Sequence, residues 1–132
     1  MSDLTQAPTT VTSIGIAMFT VSDVDASIAF YVEKLGFELR SDMAFGDDGA
    51  MRWVEVAPPG STARLALNPP MYDEPGGSSI GVETRDVDGE HARLKAIDGI
   101  DLDPEPMQTP GAPKMFMLRD PDGNTIVIVE TA

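Results

Sequence analysis

Val21-Ser22-Asp23-Val24-Asp25 returns further along the chain as Thr84-Arg85-Asp86-Val87-Asp88, with Asp23 answering to Asp86 and Val24 to Val87. This stretch decides the fold, because self-similarity at a fixed spacing marks a duplicated structural unit. Working outward, residues 13–21 are dense in apolar and β-favouring side chains and read as a strand. Asp23 or Asp25 can then cap a helix on which Ile28, Tyr31, Val32 and Leu35 share one face, and Gly36 stops it. Residues 37–45, 51–57 and 63–68 resume an extended pattern, broken by a turn at 46–49 and by Pro58-Pro59-Gly60. After the second copy of the motif the order repeats. A strand at 79–84 leads into a helix capped by Asp86 or Asp88 that runs to about residue 97 and stops at Gly99. Residues 102–107 form a weak, proline-interrupted edge strand. Strands at 114–119 and 125–130 flank the strong turn signal Asp120-Pro121-Asp122-Gly123-Asn124.

The expected fold class is therefore α+β. Two tandem βαβββ modules form curved mixed sheets around a cleft, with the helices on the outer face. Residues 1–12 are a tail, 13–68 the first module, 69–78 a Pro/Gly linker and 79–132 the second module. One module alone would leave an apolar sheet face uncovered, so two must pack together, within the chain or across a dimer. A cleft between curved sheets is where a ligand would sit.

Composition narrows the function classes. The 132 residues suit one domain, with 42% hydrophobic and 23% charged residues. There is no cysteine, which removes disulfides, thiolate metal sites and a thiol nucleophile. The net charge of −13 repels nucleic acid and anionic membrane surfaces and favours a cationic ligand. No apolar run approaches the roughly 20 residues of a membrane helix, and the first residues lack the pattern of a signal peptide. A cytoplasmic protein is expected.

The segment from Val21 to Tyr31, Leu35-Gly36-Phe37, Asp86-Val87-Asp88 with His91-Ala92-Arg93-Leu94, and Asp120-Pro121-Asp122-Gly123-Asn124 together resemble the vicinal-oxygen-chelate superfamily. That superfamily holds glyoxalase I, extradiol dioxygenases, fosfomycin-resistance enzymes and bleomycin-resistance proteins, and the likeness runs from about residue 13 to 130. The resemblance implies that metal-dependent members place His and Glu ligands at positions equivalent to Ile16 and Ser79, counted back from Asp23 and Asp86. Further ligands fall at Val127, counted forward from Gly123, and on the fourth strand near Ala66. Ile16, Ala66 and Val127 have no donor atom on the side chain, and Ser79 is a weak ligand. A slip of one residue meets Leu65, Leu67, Ile126 and Ile128 instead. No metal and no cofactor are expected.

Period-two alternation names the cleft lining. Ile16, Met18 and Thr20 share one parity, as do Arg64 and Ala66, Ser79 and Glu83, and Val127 on the last strand. Trp53 and Glu55 are favoured as inward over Val54 and Val56, and Met115 and Met117 over Phe116 and Leu118. Glu55 and Glu83 could select a cation or act as an acid/base pair, or could be ion-paired to Arg52, Arg64 or Arg85. His91, the single histidine, is read as a helix-packing residue rather than a general base, so no catalytic residue is expected. Met71, Tyr72, Asp73 and Glu74 could cover the cleft mouth or be plain linker. The leading expectation is a metal-independent protein that binds, and as a drug-binding member would sequester, an aromatic or cationic small molecule, acting as a homodimer. The alternative is a metal-dependent lyase or dioxygenase-like enzyme with an unorthodox site.

Overall fold

In the computed structural model, which describes residues 7–71 and 73–131, the duplicated sequence folds into two copies of one layout. The first copy runs β1 (Ile16–Thr20), α1 (Val24–Ala29), β2 (Glu38–Phe45), β3 (Met51–Ala57) and β4 (Arg64–Asn68). The second runs β5 (Ser79–Thr84), α2 (Val87–Lys95), β6 (Asp101–Leu102), β7 (Met115–Arg119) and β8 (Thr125–Glu130). The sheets have the orders β1-β4-β3-β2 and β5-β8-β7-β6. In each copy the helix carries the chain across to the far edge, and the last two strands fill the gap. That path makes β1 and β4, and likewise β5 and β8, parallel neighbours, while the other pairs are antiparallel.

Local chemistry sets the element ends. Asp23 caps α1 through Ala26 N at 3.0 Å and Asp86 caps α2 through Gly89 N at 2.9 Å. Asp25 and Asp88, the other cap candidates, lie inside the first turns, since a cap needs non-helical backbone such as Asp23 and Asp86 have, at φ −138° and −142°. α1 then widens into a π-helical turn, Phe30–Lys34, closed by Leu35 N donating to Phe30 O at 3.2 Å. A 3.6-residue periodicity does not anticipate this turn. β1 starts at Ile16 rather than at residue 13, because its partner β4 starts at Arg64, whose amide already bonds Gly15 O at 2.9 Å. The expected strand at 102–107 shortens to Asp101–Leu102 plus an isolated bridge from Met107 to Met115. Pro104 and Pro106 have no amide hydrogen to continue the ladder.

One core serves both modules. Phe19, Val21, Tyr31, Val54, Val56, Leu65 and Leu67 of the first copy cluster with Val87, Leu94, Phe116, Leu118 and Ile126 of the second. The modules are also joined by polar contacts centred on the β7–β8 turn. Asp120, buried, accepts from Tyr31 Oη at 2.9 Å, Asn124 Nδ2 at 3.0 Å, Asn124 N at 2.9 Å and Asp122 N at 3.0 Å. Asn124 Nδ2 reaches Thr20 O at 3.2 Å, and Asn124 Oδ1 accepts from Ser78 N at 3.2 Å. The Asp122 carboxylate accepts from Ser22 N at 3.1 Å. Arg93 of α2 donates to the carbonyls of Lys34 and Leu35. Among the described residues, no helix is long and apolar enough to cross a membrane.

Candidate functional site

The helix-covered face of each sheet is the core, so the opposite face is the one left open. Val54 and Val56 are fully buried, which turns Trp53 and Glu55 of β3 to the open side. Phe116 and Leu118 of β7 do the same for Met115 and Met117. Strand register carries the parity across. Met18 pairs with Ala66 and Ala66 with Glu55 on one sheet. On the other, Ser79 pairs with Thr125, Gly81 with Val127 and Val127 with Met117. Ile16, Met18, Thr20, Trp53, Glu55, Arg64 and Ala66 therefore share the open face of the first sheet. Ser79, Glu83, Met115, Met117 and Val127 share that of the second.

These faces are apolar well beyond what single exposed residues would explain. Met18 is 55% exposed, Met43 61%, Phe45 45% and Met107 45%. Met43 and Phe45, which pair with Trp53 and Met51, were not anticipated as part of the lining. Their signal was available in the hairpin register, since cross-strand partners share a face. Met18, Met43, Met51, Met107, Met115 and Met117 thus gather most of the chain's eight methionines on the open faces. Unbranched thioethers suit a surface that adapts to its ligand.

A cavity of about 780 Å³ is walled by the two edge strands β1 and β5. It brings together Ile16, Arg64 and Glu83 of the expected lining, with Pro58 and Pro59 at one side. The other expected residues lie on the open faces outside it. A second cavity of about 730 Å³ lies where α1 meets the Asp120–Gly123 turn, and is lined by Glu33, Lys34, Asp101 and Arg119. Among the covering-loop residues, Tyr72 lies outside the described residues, and Met71, Asp73 and Glu74 line neither cavity.

The charged groups on the first sheet form one cluster. Glu55 Oε2 accepts from Trp53 Nε1 at 2.7 Å, and Glu55 Oε1 lies 2.8 Å from Arg64 Nε. Arg64 Nε is buried and outside hydrogen-bond geometry, so that contact is an ion pair. Of the partners weighed for Glu55, Arg64 is the one it has. Arg52 pairs instead with Asp25 and Asp42 at 2.8 Å each. Glu83 is exposed and has no ion-pair partner among the described residues.

His91 is buried on α2, edge-on to Phe116 with ring centres 4.9 Å apart. Its Nε2 carries the proton, because its partner at 2.8 Å is the carbonyl of Asp103. Phe116 is on the core side of β7, so the imidazole is turned away from both open faces.

The residues at the superfamily's ligand positions do not fit a divalent ion. Ile16 and Ala66 lie on adjacent strands of one sheet and Ser79 and Val127 on adjacent strands of the other. Three of the four are hydrocarbon. Among the described residues, no three His, Asp or Glu side chains gather as a metal site elsewhere.

Comparison with known proteins agrees with this layout. Residues 13–128 match the family described as Glyoxalase/Bleomycin resistance protein/Dioxygenase superfamily, and the chain belongs to that superfamily. It is 30% identical to the protein YetH of Bacillus subtilis (strain 168) over 120 residues, 89% of this chain and 97% of that one. It is similar to the structure of TnmS3, an antibiotic binding protein from Streptomyces sp. CB03234, with TM-score 0.82 and 33% identity, covering 95% of this chain and 100% of that one. A superfamily member from Sphaerobacter thermophilus DSM 20745 aligns with TM-score 0.79 and 33% identity over 92% and 98%.

Proposed function

We propose that this chain binds an aromatic small molecule on its open sheet faces without a metal, and holds it rather than transforming it. The observation that carries the reading is the substitution of the superfamily's ligand positions by Ile16, Ala66 and Val127 on faces lined by Trp53 and methionines. Similarity to an antibiotic binding protein supports it. Sequestration needs only burial and shape, and these faces supply apolar surface. An enzyme of the superfamily's metal-dependent kind would need donors that this site lacks. The same exposed faces favour a homodimer, since a two-fold partner would enclose them. A cytoplasmic location remains part of the proposal.

Elemental mass spectrometry on untagged protein, followed by a thermal-shift screen of aromatic compounds, tests this reading. The expected result is no stoichiometric metal after incubation with manganese, iron, nickel or zinc, and a raised Tm with a subset of aromatics. A bound divalent ion at one per chain overturns it.

A further inference from the structure

The hydrogen-bond inventory of the Trp53–Glu55–Arg64 cluster specifies the polar chemistry of the ligand. This inference rests on the binding reading above. Glu55 is spent. One oxygen takes the Trp53 indole N–H, the other faces the Arg64 guanidinium, and its side chain is only 14% exposed. A cationic ligand would have to reach a carboxylate that is largely covered, and would meet the Arg64 charge beside it. Glu83, in the cavity that Arg64 also lines, is exposed and water-screened, which makes it a weak anchor.

Arg64 is only partly spent. Its Nε faces Glu55, while its Nη1 and Nη2 donors have no partner among the described residues, and its side chain is 40% exposed beside the cavity. A guanidinium fork presents several N–H groups in one plane and accepts nothing. Its positive charge is offset by Glu55, and the chain as a whole carries −13. A free anion therefore gains little from Arg64 and is opposed by the wider field.

The geometry points to a neutral planar aromatic that carries a carbonyl-type oxygen. The ring lies against Trp53, whose indole N–H meets the same carboxylate as Arg64, and the oxygen accepts from the Arg64 fork.

Three naphthalenes that differ in one substituent test this: naphthalene-2-carboxamide, 2-naphthoate and 2-naphthylmethylammonium. Trp53 is the only tryptophan, so the ¹⁵N-labelled protein shows one indole N–H resonance that reports on this cluster alone. Calorimetry supplies each Kd. The carboxamide should shift the Trp53 resonance and bind tighter than either charged analogue. Arg64→Gln should weaken carboxamide binding about tenfold, the loss expected for a hydrogen bond from a charged donor. Arg64→Lys, which keeps the charge and the pairing with Glu55 but not the fork, should fail to restore it. It also serves if the glutamine variant does not fold. Tightest binding by the ammonium or by naphthoate, or an affinity unchanged in both Arg64 variants, overturns the neutral-acceptor assignment and leaves the binding reading standing. If none of the three compounds shifts Trp53, the aromatic site itself is refuted and this inference falls with it.

Discussion

Tyr31 shows how one side chain can hold the two modules together. Its ring is buried between Phe30 and Phe37, with centroids at 5.2 and 5.8 Å, and its hydroxyl donates to the buried Asp120 carboxylate of the other module. Tyr31→Phe removes that donor without opening a cavity. We expect a loss of ~1.5–3 kcal/mol, the range for a hydrogen bond to a charged group, read from urea unfolding. The lower end applies if the three remaining donors to Asp120 compensate. The same contact creates a pH dependence. Burial, with the Asp120 charge beside it, pushes the phenol well above its usual range. The folded chain then keeps the proton at a pH where the unfolded chain has released it. Stability should be intact below the ordinary phenol value of about 10 and fall as pH rises past it. Tyr31→Phe should flatten that alkaline limb relative to the wild type, and an unchanged limb would show that Tyr31 is not its source.

At the scale of the element, β3 carries both roles of the fold on alternate residues. Val54 and Val56 face the core, while Trp53 and Glu55 face outward. Val54→Ala should cost about 2 kcal/mol by cavity formation, whereas Trp53→Ala should cost about 1 kcal/mol or less. Ligand-induced thermal shifts should respond in the opposite order, with Trp53→Ala abolishing them and Val54→Ala leaving them in place. Unfolding curves and thermal shifts on the same two variants check both halves. This parity was only half legible beforehand. Trp53 and Val54 are both plausible core residues, and the alternation alone did not say which set met the helix. The hairpin partners Met43 and Phe45 were missed for the same reason, since their face depends on register with β3.

At the scale of the whole molecule, the linker matters more than its composition suggests. Gly76 has φ +87°, its amide reaches Thr20 O, and a Cβ there would overlap the backbone oxygen of Asp122. It therefore lies where the first strand, the linker and the β7–β8 turn converge. Gly76→Ala should destabilise the protein by at least about 2 kcal/mol, from left-handed strain and from displacement of that turn. A melt that stays a single transition, lowered in Tm, would mark the modules as one cooperative unit. Light scattering after size exclusion addresses the proposed dimer. The expected mass is twice the 14.1 kDa of the chain, and a monomer at micromolar concentration would remove the dimer from the proposal.

The duplicated Asp-Val-Asp motifs, the glycine stops and the Asp-Pro-Asp-Gly-Asn turn determined the α+β class, the order of the elements and the superfamily, because these are local signals that the chain writes without reference to its neighbours. Hydrocarbon at Ile16 and Val127, two of the positions where the resemblance implies ligands, was legible too, once Asp23 and Gly123 gave the count. Which of the offered faces stays open, which arginine Glu55 meets, and that Asp120 joins the modules were decided by tertiary structure. Those facts depend on which of several nearby charges or donors meets which, and residues far apart in sequence meet only after the sheets have packed.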